Sequence, residues 1–297
     1  MKTATQGNML AAISFILWGI LPLYYQYLPN ADTNELLALR IIFTIPFMYL
    51  FAWLLRRNIA PIKQIMADKK SLLFCLIAGL VMSVSWYTFT WAMTHGQILA
   101  ASLGYFINPL FAITLAVIFL KEKLSLAQKA AVFLGIIGIS YQVYQYGSLP
   151  WISLIMGSFF AIYGLLKKHI KYDSFTSVMV ESAVLLPFAV IYFGWLWFNG
   201  NSHALNGSTT ELLLYIGSAP VTILPLIFFA LAIQRTSLTM VGLMQYIEPS
   251  LQFLLAVFLF SEIFDTTKAI SFSMIWLGLI LCSIESMPRR KAKHVHA

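Results

Sequence analysis

The sequence predicts an all-α integral membrane protein, with ten transmembrane helices arranged as two inverted five-helix repeats. Three observations carry that expectation. Apolar residues crowd out charge along the whole chain; ten apolar runs alternate with loops whose positive charge falls on one side; and an offset of 140 residues brings landmarks of one half onto the other.

Of 297 residues, 60% are hydrophobic and 10% are charged, whereas a soluble domain carries roughly 25% charged residues. A soluble fold of this length could not cover its own surface, so the solvent around it is lipid. The net charge of +8 does not imply nucleic-acid binding. The basic residues sit in short clusters between apolar runs, such as Arg56-Arg57, Lys69-Lys70, Lys167-Lys168 and Arg289-Arg290-Lys291, as topogenic charge does. Cys75 and Cys282 lie inside apolar segments and read as small hydrophobes rather than as a disulfide or metal pair. The first apolar run reads as a span, not as a cleaved signal peptide.

A span needs roughly 20 apolar residues. The runs near 7–27, 34–55, 71–92, 97–119, 127–146, 149–167, 175–197, 211–233, 237–260 and 267–286 meet that length. With a cytoplasmic N-terminus and ten spans, all but two of the 19 Lys and Arg residues fall on the inside, the exceptions being Arg40, within a span, and Lys268. That bias sets orientation and predicts cytoplasmic N- and C-termini in a bacterial inner (plasma) membrane. A missed central helix would scramble the pattern.

The offset of 140 aligns Asn108-Pro109 with Glu248-Pro249, Ala116-Val117 with Ala256-Val257, Glu122 with Glu262 and Gly138 with Gly278. Nearby offsets place Trp18-Gly19 on Tyr163-Gly164, and Arg40 with Pro46-Phe47 on Glu181 with Pro187-Phe188. The expected organisation is a first repeat over 1–146, a second over 147–288 and a basic cytoplasmic tail over 289–297. Five spans is an odd number, so the halves insert in opposite senses, as in many secondary transporters.

The stretch Ala101-Ser102-Leu103-Gly104-Tyr105-Phe106-Ile107-Asn108-Pro109, with Lys121-Glu122-Lys123-Leu124-Ser125 entering a helix, resembles the drug/metabolite transporter superfamily. The resemblance is to its EamA-type branch and, within that, to the RarD group of bacterial inner-membrane proteins. It implies ten helices, both termini cytoplasmic, and export or exchange of small metabolites through a central cavity. Glu248 stands where the first repeat has Asn108, so that cavity is not chemically symmetric.

An ionisable side chain inside a span costs about 2.5–3.5 kcal/mol on insertion scales, which singles out Arg40, Glu181 and Glu248. Glu122 and Glu262 sit at helix ends and read as structural. Glu248 precedes Pro249 near mid-span, where proline removes a backbone donor and opens the helix. Asn108-Pro109 is expected to repeat the device, and both broken points are expected at the bilayer midplane. Glu248 is the candidate substrate ligand and, with Glu181, the candidate proton carrier; protonated interhelical glue is its structural alternative. Inversion places Arg40 and Glu181 at mirrored depths about 6–7 Å either side of the midplane, which argues against a direct pair. Arg40 either snorkels to the headgroups or reaches inward, where Arg40 for a carboxylate and Glu248 for an ammonium would suit a zwitterion.

Aromatic residues make up 15% of the chain. Tyr24, Tyr25, Trp195 and Trp197 fall at span ends, where interfacial belts form. Trp18, Trp86, Trp91, Tyr105, Tyr163 and Tyr246 fall mid-span and are candidate cavity contacts for a planar or amphipathic ligand; Trp18 and Tyr163 are repeat-related, and Tyr105 and Tyr246 flank the proposed breaks. The chain lacks a phosphate-binding GxxxxGK[ST] loop, HExxH, CxxC and GxSxG, so no ATP coupling, metal or cofactor is expected. The reading is therefore a secondary transporter of small organic metabolites, not an enzyme, with membrane lipid around it and either a monomeric or a homodimeric state. A channel would show repeated polar rings, and an intramembrane enzyme would need a catalytic cluster; the spans contain neither.

Overall fold

The computed structural model describes residues 2–28, 31–94, 98–147, 151–259 and 265–286. Glu262 and the tail 289–297 lie outside the described residues. The described chain is helical: α1 (Lys2–Gly19), α2 (Pro22–Tyr25), α3 (Thr33–Leu54), α4 (Ile62–Ala67), α5 (Lys69–Thr94), α6 (Ile98–Leu120), α7 (Leu126–Tyr146), α8 (Trp151–His169), α9 (Ser174–Phe198), α10 (His203–Asn206), α11 (Thr209–Ile233), α12 (Leu238–Met244), α13 (Ile247–Phe258) and α14 (Thr266–Ser286). Among the described residues, each of the ten apolar runs read from the sequence is helical over most of its length.

Local chemistry sets many of the ends. Asp32, Asp173, Ser208 and Ser237 cap α3, α9, α11 and α12 by accepting backbone N–H groups of the first turn, groups that have no partner within the helix. Ser125 and Gln128 form a reciprocal capping box at α7, whose other end stops at Gly147 with a left-handed φ of 72°, a conformation glycine adopts without steric cost.

Among the described residues, six helices are long and apolar enough to cross a membrane: Thr3–Tyr25, Thr33–Leu54, Lys69–Thr88, Leu126–Tyr146, Ser174–Phe198 and Thr209–Ile233. Shorter apolar stretches, Ile107–Leu120 and Ala269–Cys282, accompany them. Large apolar side chains such as Phe188, Ile191 and Phe258 are exposed, an outer surface suited to lipid rather than water.

The chain divides into two compact units, each drawing on both halves of the sequence: 1–122 with 150–262, and 123–149 with 263–297. The second unit is the antiparallel pair α7 and α14. Ser125 at the start of α7 donates to Glu285 at the end of α14, and the Tyr146 hydroxyl donates to Asp265 at the opposite end, at 3.0 Å. Between them the Ser271 hydroxyl donates to the Gly138 carbonyl at 3.0 Å. A Cβ on Gly278 would lie 2.9 Å from the Ala131 Cα, so glycine is what lets these two backbones meet.

In the larger unit α1 packs on α11 and α13, α3 on α9 and α11, α5 on α8 and α9, and α6 on α8 and α12. Its core holds five interlocked rings. Phe15, Trp18, Phe160, Tyr163 and Phe229 contact one another at centroid separations from 5.5 to 6.0 Å, within the range favoured by aromatic pairs. Trp18 and Tyr163, the repeat-related aromatics, both belong to this cluster.

Candidate substrate-binding site

The apolar run 237–260 is two helices rather than one. α12 ends at Met244 and α13 begins at Ile247. Pro249 explains the interruption, because it has no N–H to offer the carbonyl of Gln245 four residues back. That carbonyl instead accepts the Glu248 N–H at 3.2 Å, and the Tyr246 N–H turns to Leu243 at 3.3 Å, so the backbone tightens to three-residue spacing through the break. Glu248 lies in the first turn of α13, where the helix dipole favours a negative charge.

Asn108-Pro109 does not repeat this device. α6 runs unbroken from Ile98 to Leu120 with Pro109 inside it, correcting the expectation of a second break. Neighbouring backbone holds α6 on both sides: a Cβ on Gly157 of α8 would lie 3.2 Å from the Asn108 amide, and one on Gly242 of α12 3.2 Å from the Pro109 carbonyl. Closely packed neighbours of this kind are what allow proline inside a membrane helix.

Glu248 and Asn108 nevertheless meet. Both line a cavity of about 80 Å³ together with Trp18, Tyr25, Trp86, Tyr105 and Gln252. Glu248 is 9% exposed, and among the described residues its carboxylate accepts a long hydrogen bond from Gln252 Nε2 at 3.4 Å. Trp18 Nε1, Asn108 Oδ1 and the Tyr246 hydroxyl are buried without a hydrogen-bond partner among the described residues. Each such group left unmade costs about 1–3 kcal/mol. Six side-chain atoms among the described residues are in this state, and two of them, on Trp18 and Asn108, belong to residues lining the cavity beside Glu248. A Cβ on Gly19 would lie 2.8 Å from the Leu251 Cβ and 3.3 Å from the Glu248 carbonyl, so α1 is drawn close against the first turn of α13 and brings Trp18 with it.

A second cavity, of about 110 Å³, holds the other two charges singled out from the sequence, Arg40 and Glu181, with Tyr163, Thr222 and, again, Trp86 in its lining. Glu181 is fully engaged. Lys167 Nζ lies 2.6 Å from its Oε1, the Ser177 hydroxyl donates to the same oxygen at 2.7 Å, and the Tyr163 hydroxyl donates to Oε2 at 2.9 Å. Lys167 is 3% exposed, so this lysine of the basic cluster turns inward; the sequence reading placed it among the cytoplasmic charges. A Cβ on Gly79 would come 2.8 Å from the Glu181 carbonyl, which fixes α5 against α9 at that point. The Arg40 guanidinium stacks over the Trp86 ring, 4.2 Å from its centroid, an arrangement worth about 0.5–2 kcal/mol. Arg40 thus points inward rather than snorkelling to the headgroups, and it lines the second cavity rather than Glu248's.

The sequence candidates therefore separate. Trp18, Tyr105, Asn108 and Glu248 share one cavity, Arg40, Tyr163 and Glu181 share another, and Trp86 lines both. Tyr246 is buried in the helix break, and the Trp91 side chain lies outside the described residues. Two buried charges were not singled out from sequence, Lys167 and Glu35. Glu35 is fully buried and accepts from the Ser202 hydroxyl and from the His203 N–H at 2.8 Å, capping α10. Glu122 accepts the N–H groups of Leu238 and Thr239 at 2.9 and 3.0 Å, a cap on α12. Among the described residues no cluster of His, Cys, Asp or Glu could hold a metal ion.

The EamA-like transporter family matches this chain twice, over residues 5–143 and 149–284. The transporter YojE of Bacillus subtilis is 35% identical over 98% of this chain and 98% of its own length. The protein RarD of Escherichia coli is 34% identical over 98% of this chain and 99% of its own. A crystal structure of a protein only 15% identical shares the fold, with a TM-score of 0.71 over 94% of this chain and 98% of that one. With two family matches spanning most of its length and relatives of this similarity, the chain belongs to the EamA-like transporter family, in its RarD group, and is a multi-pass membrane transporter.

Proposed function

We propose that the protein is a secondary transporter of small organic metabolites, amine-bearing or amphipathic, working by alternating access across the inner membrane around the Glu248 cavity. The observation that carries this reading is the state of the polar groups there. A buried carboxylate, an indole N–H and a side-chain amide oxygen line one small cavity and are left almost unused among the described residues. Native structures rarely leave such groups unpaired unless something else satisfies them.

In this reading Glu248 accepts an ammonium group or carries the coupling proton, Trp18 Nε1 donates to an acceptor on the substrate, and Asn108 Oδ1 takes a donor. Tyr25, Trp86 and Tyr105 supply the apolar walls. The ten helical runs are ten spans, the two family matches are inverted repeats, and both termini are cytoplasmic, in keeping with the positions of the basic clusters. Lipid and a small-molecule substrate are the proposed partners.

The test is counterflow of radiolabelled amino acids and related metabolites in proteoliposomes, wild type beside Glu248→Gln. Saturable exchange that falls at least about tenfold in the variant, as expected for loss of a charge-assisted contact, supports the reading. Unchanged exchange would reduce Glu248 to interhelical glue, and linear, non-saturating flux in both proteins would indicate a facilitator.

A further inference from the structure

We infer that the second cavity is a binding site for a small monoanion, a carboxylate group or a halide, with Arg40 as its ligand and Trp86 as its floor. The inference stands on the charge balance of that cavity and does not depend on what occupies the Glu248 cavity.

Arg40 and Glu181 are the basic and the acidic residue in the lining, and the charge of Glu181 is already cancelled. Lys167 sits 2.6 Å from one carboxylate oxygen, and hydroxyls of Ser177 and Tyr163 occupy further acceptor positions. Among the described residues Lys167–Glu181 is the sole ion pair. The cavity therefore carries one net positive charge, on a guanidinium that lies over Trp86. A cation within the membrane interior is rarely left without a compensating partner; the guanidinium hydrogen-bonds the Tyr25 side chain, and one such bond does not use up its five N–H donors, which suit a planar or spherical anion. The cavity of about 110 Å³ suits a carboxylate or a halide, and its remaining walls, including Leu37, Ile41, Val178 and Leu226, offer little hydration to compete.

The ligand's source is what the experiment separates. Detergent-purified full-length protein, held at constant ionic strength in gluconate, is titrated with sodium acetate and, separately, with sodium chloride. Tryptophan fluorescence and melting temperature are the readouts. Wild type and Glu248→Gln are expected to respond saturably. Arg40→Gln is expected to bind at least about tenfold more weakly, the effect of removing a charge-assisted bond. Arg40→Lys keeps the charge and guards against misfolding of the glutamine variant; it is expected to saturate at higher anion concentration. Trp86→Phe is expected to keep the thermal shift while losing the fluorescence change. Saturation by acetate alone identifies a pocket for a carboxylate borne by an organic ligand, and saturation by both anions identifies a free-anion site. No saturable response in wild type, or the same response in both Arg40 variants as in wild type, overturns the inference.

Discussion

Glu181 and Glu248 are both carboxylates buried in the larger unit, yet they are treated in opposite ways. Glu181 has a lysine and two hydroxyls on it, whereas among the described residues Glu248 has one long contact, from an amide a turn further along its own helix. The difference separates a carboxylate that the fold consumes from one that the fold presents. A buried ion pair is costly to break, because the surviving partner is left charged in a poor solvent. A carboxylate without such a partner can be neutralised with far less disturbance.

The largest expected effect tests that contrast directly. Glu181→Gln should destabilise the protein by about 3–5 kcal/mol, read as thermal unfolding in detergent. Glu248→Gln should cost less than about 1 kcal/mol, in keeping with its single weak contact. The double replacement Lys167→Met with Glu181→Leu should recover most of the loss, since apolar substitutes of similar volume often replace a buried pair at little cost. Equal destabilisation by both single glutamine variants would end the distinction.

Next in size is the packing that holds the two carboxylates in place. Gly79→Ala would force a methyl to 2.8 Å from the Glu181 carbonyl oxygen, a backbone atom that cannot swing aside, and should cost about 1–3 kcal/mol. Gly157→Ala, whose nearest contact with Asn108 is 3.2 Å, should cost less on the same melting assay. A smaller effect, confined to transport, is expected from Trp18→Phe. It keeps a ring in the aromatic cluster but removes Nε1–H, so KM for counterflow should rise about 2- to 10-fold, the worth of one hydrogen bond, with little change in melting temperature.

The smallest effect lies outside the spans and serves as a reference for both cavities. The Ser71 N–H and hydroxyl, at 3.0 and 2.7 Å from Asp68, hold that exposed carboxyl below its ordinary value of 3.8. A depressed folded-state pKa means that the stabilisation is present above pH 3.8 and disappears as pH falls through the folded value. Asp68→Asn should therefore remove a slight acid-induced loss of stability in that window. An unaltered pH–stability curve would show that the cap does not contribute.

Much of the helical layout could be read from sequence, because apolar length alone marks helices built for lipid. Glu248 was visible for a related reason, being a charge in a run that should have none. Lys167 was not, since Lys168, His169 and Lys171 around it give it the look of solvated positive charge, and only the approach of α8 to α9 turns it inward. Glu35 lies in the first turn of α3, where an acid needs no special explanation, and its burial depends on a loop 167 residues away. Pro109 and Pro249 show the limit most clearly. Each follows a polar residue within an apolar run, yet one helix is held straight by the backbones of its neighbours and the other divides. What decides between them is tertiary packing, which a local motif does not encode.

The two pieces of that divided helix lean chiefly on different neighbours, α12 on α6 and α13 on α1. Glu122, just beyond α6, pins the first turn of α12, while α13 lies against α1 at Gly19. The break at Gln245–Tyr246, whose residues keep right-handed helical dihedrals, therefore lies between the piece held mainly by α6 and the piece held mainly by α1. A displacement of α6 relative to α1 would bear on that break, immediately ahead of Glu248, and so on the direction of its carboxylate.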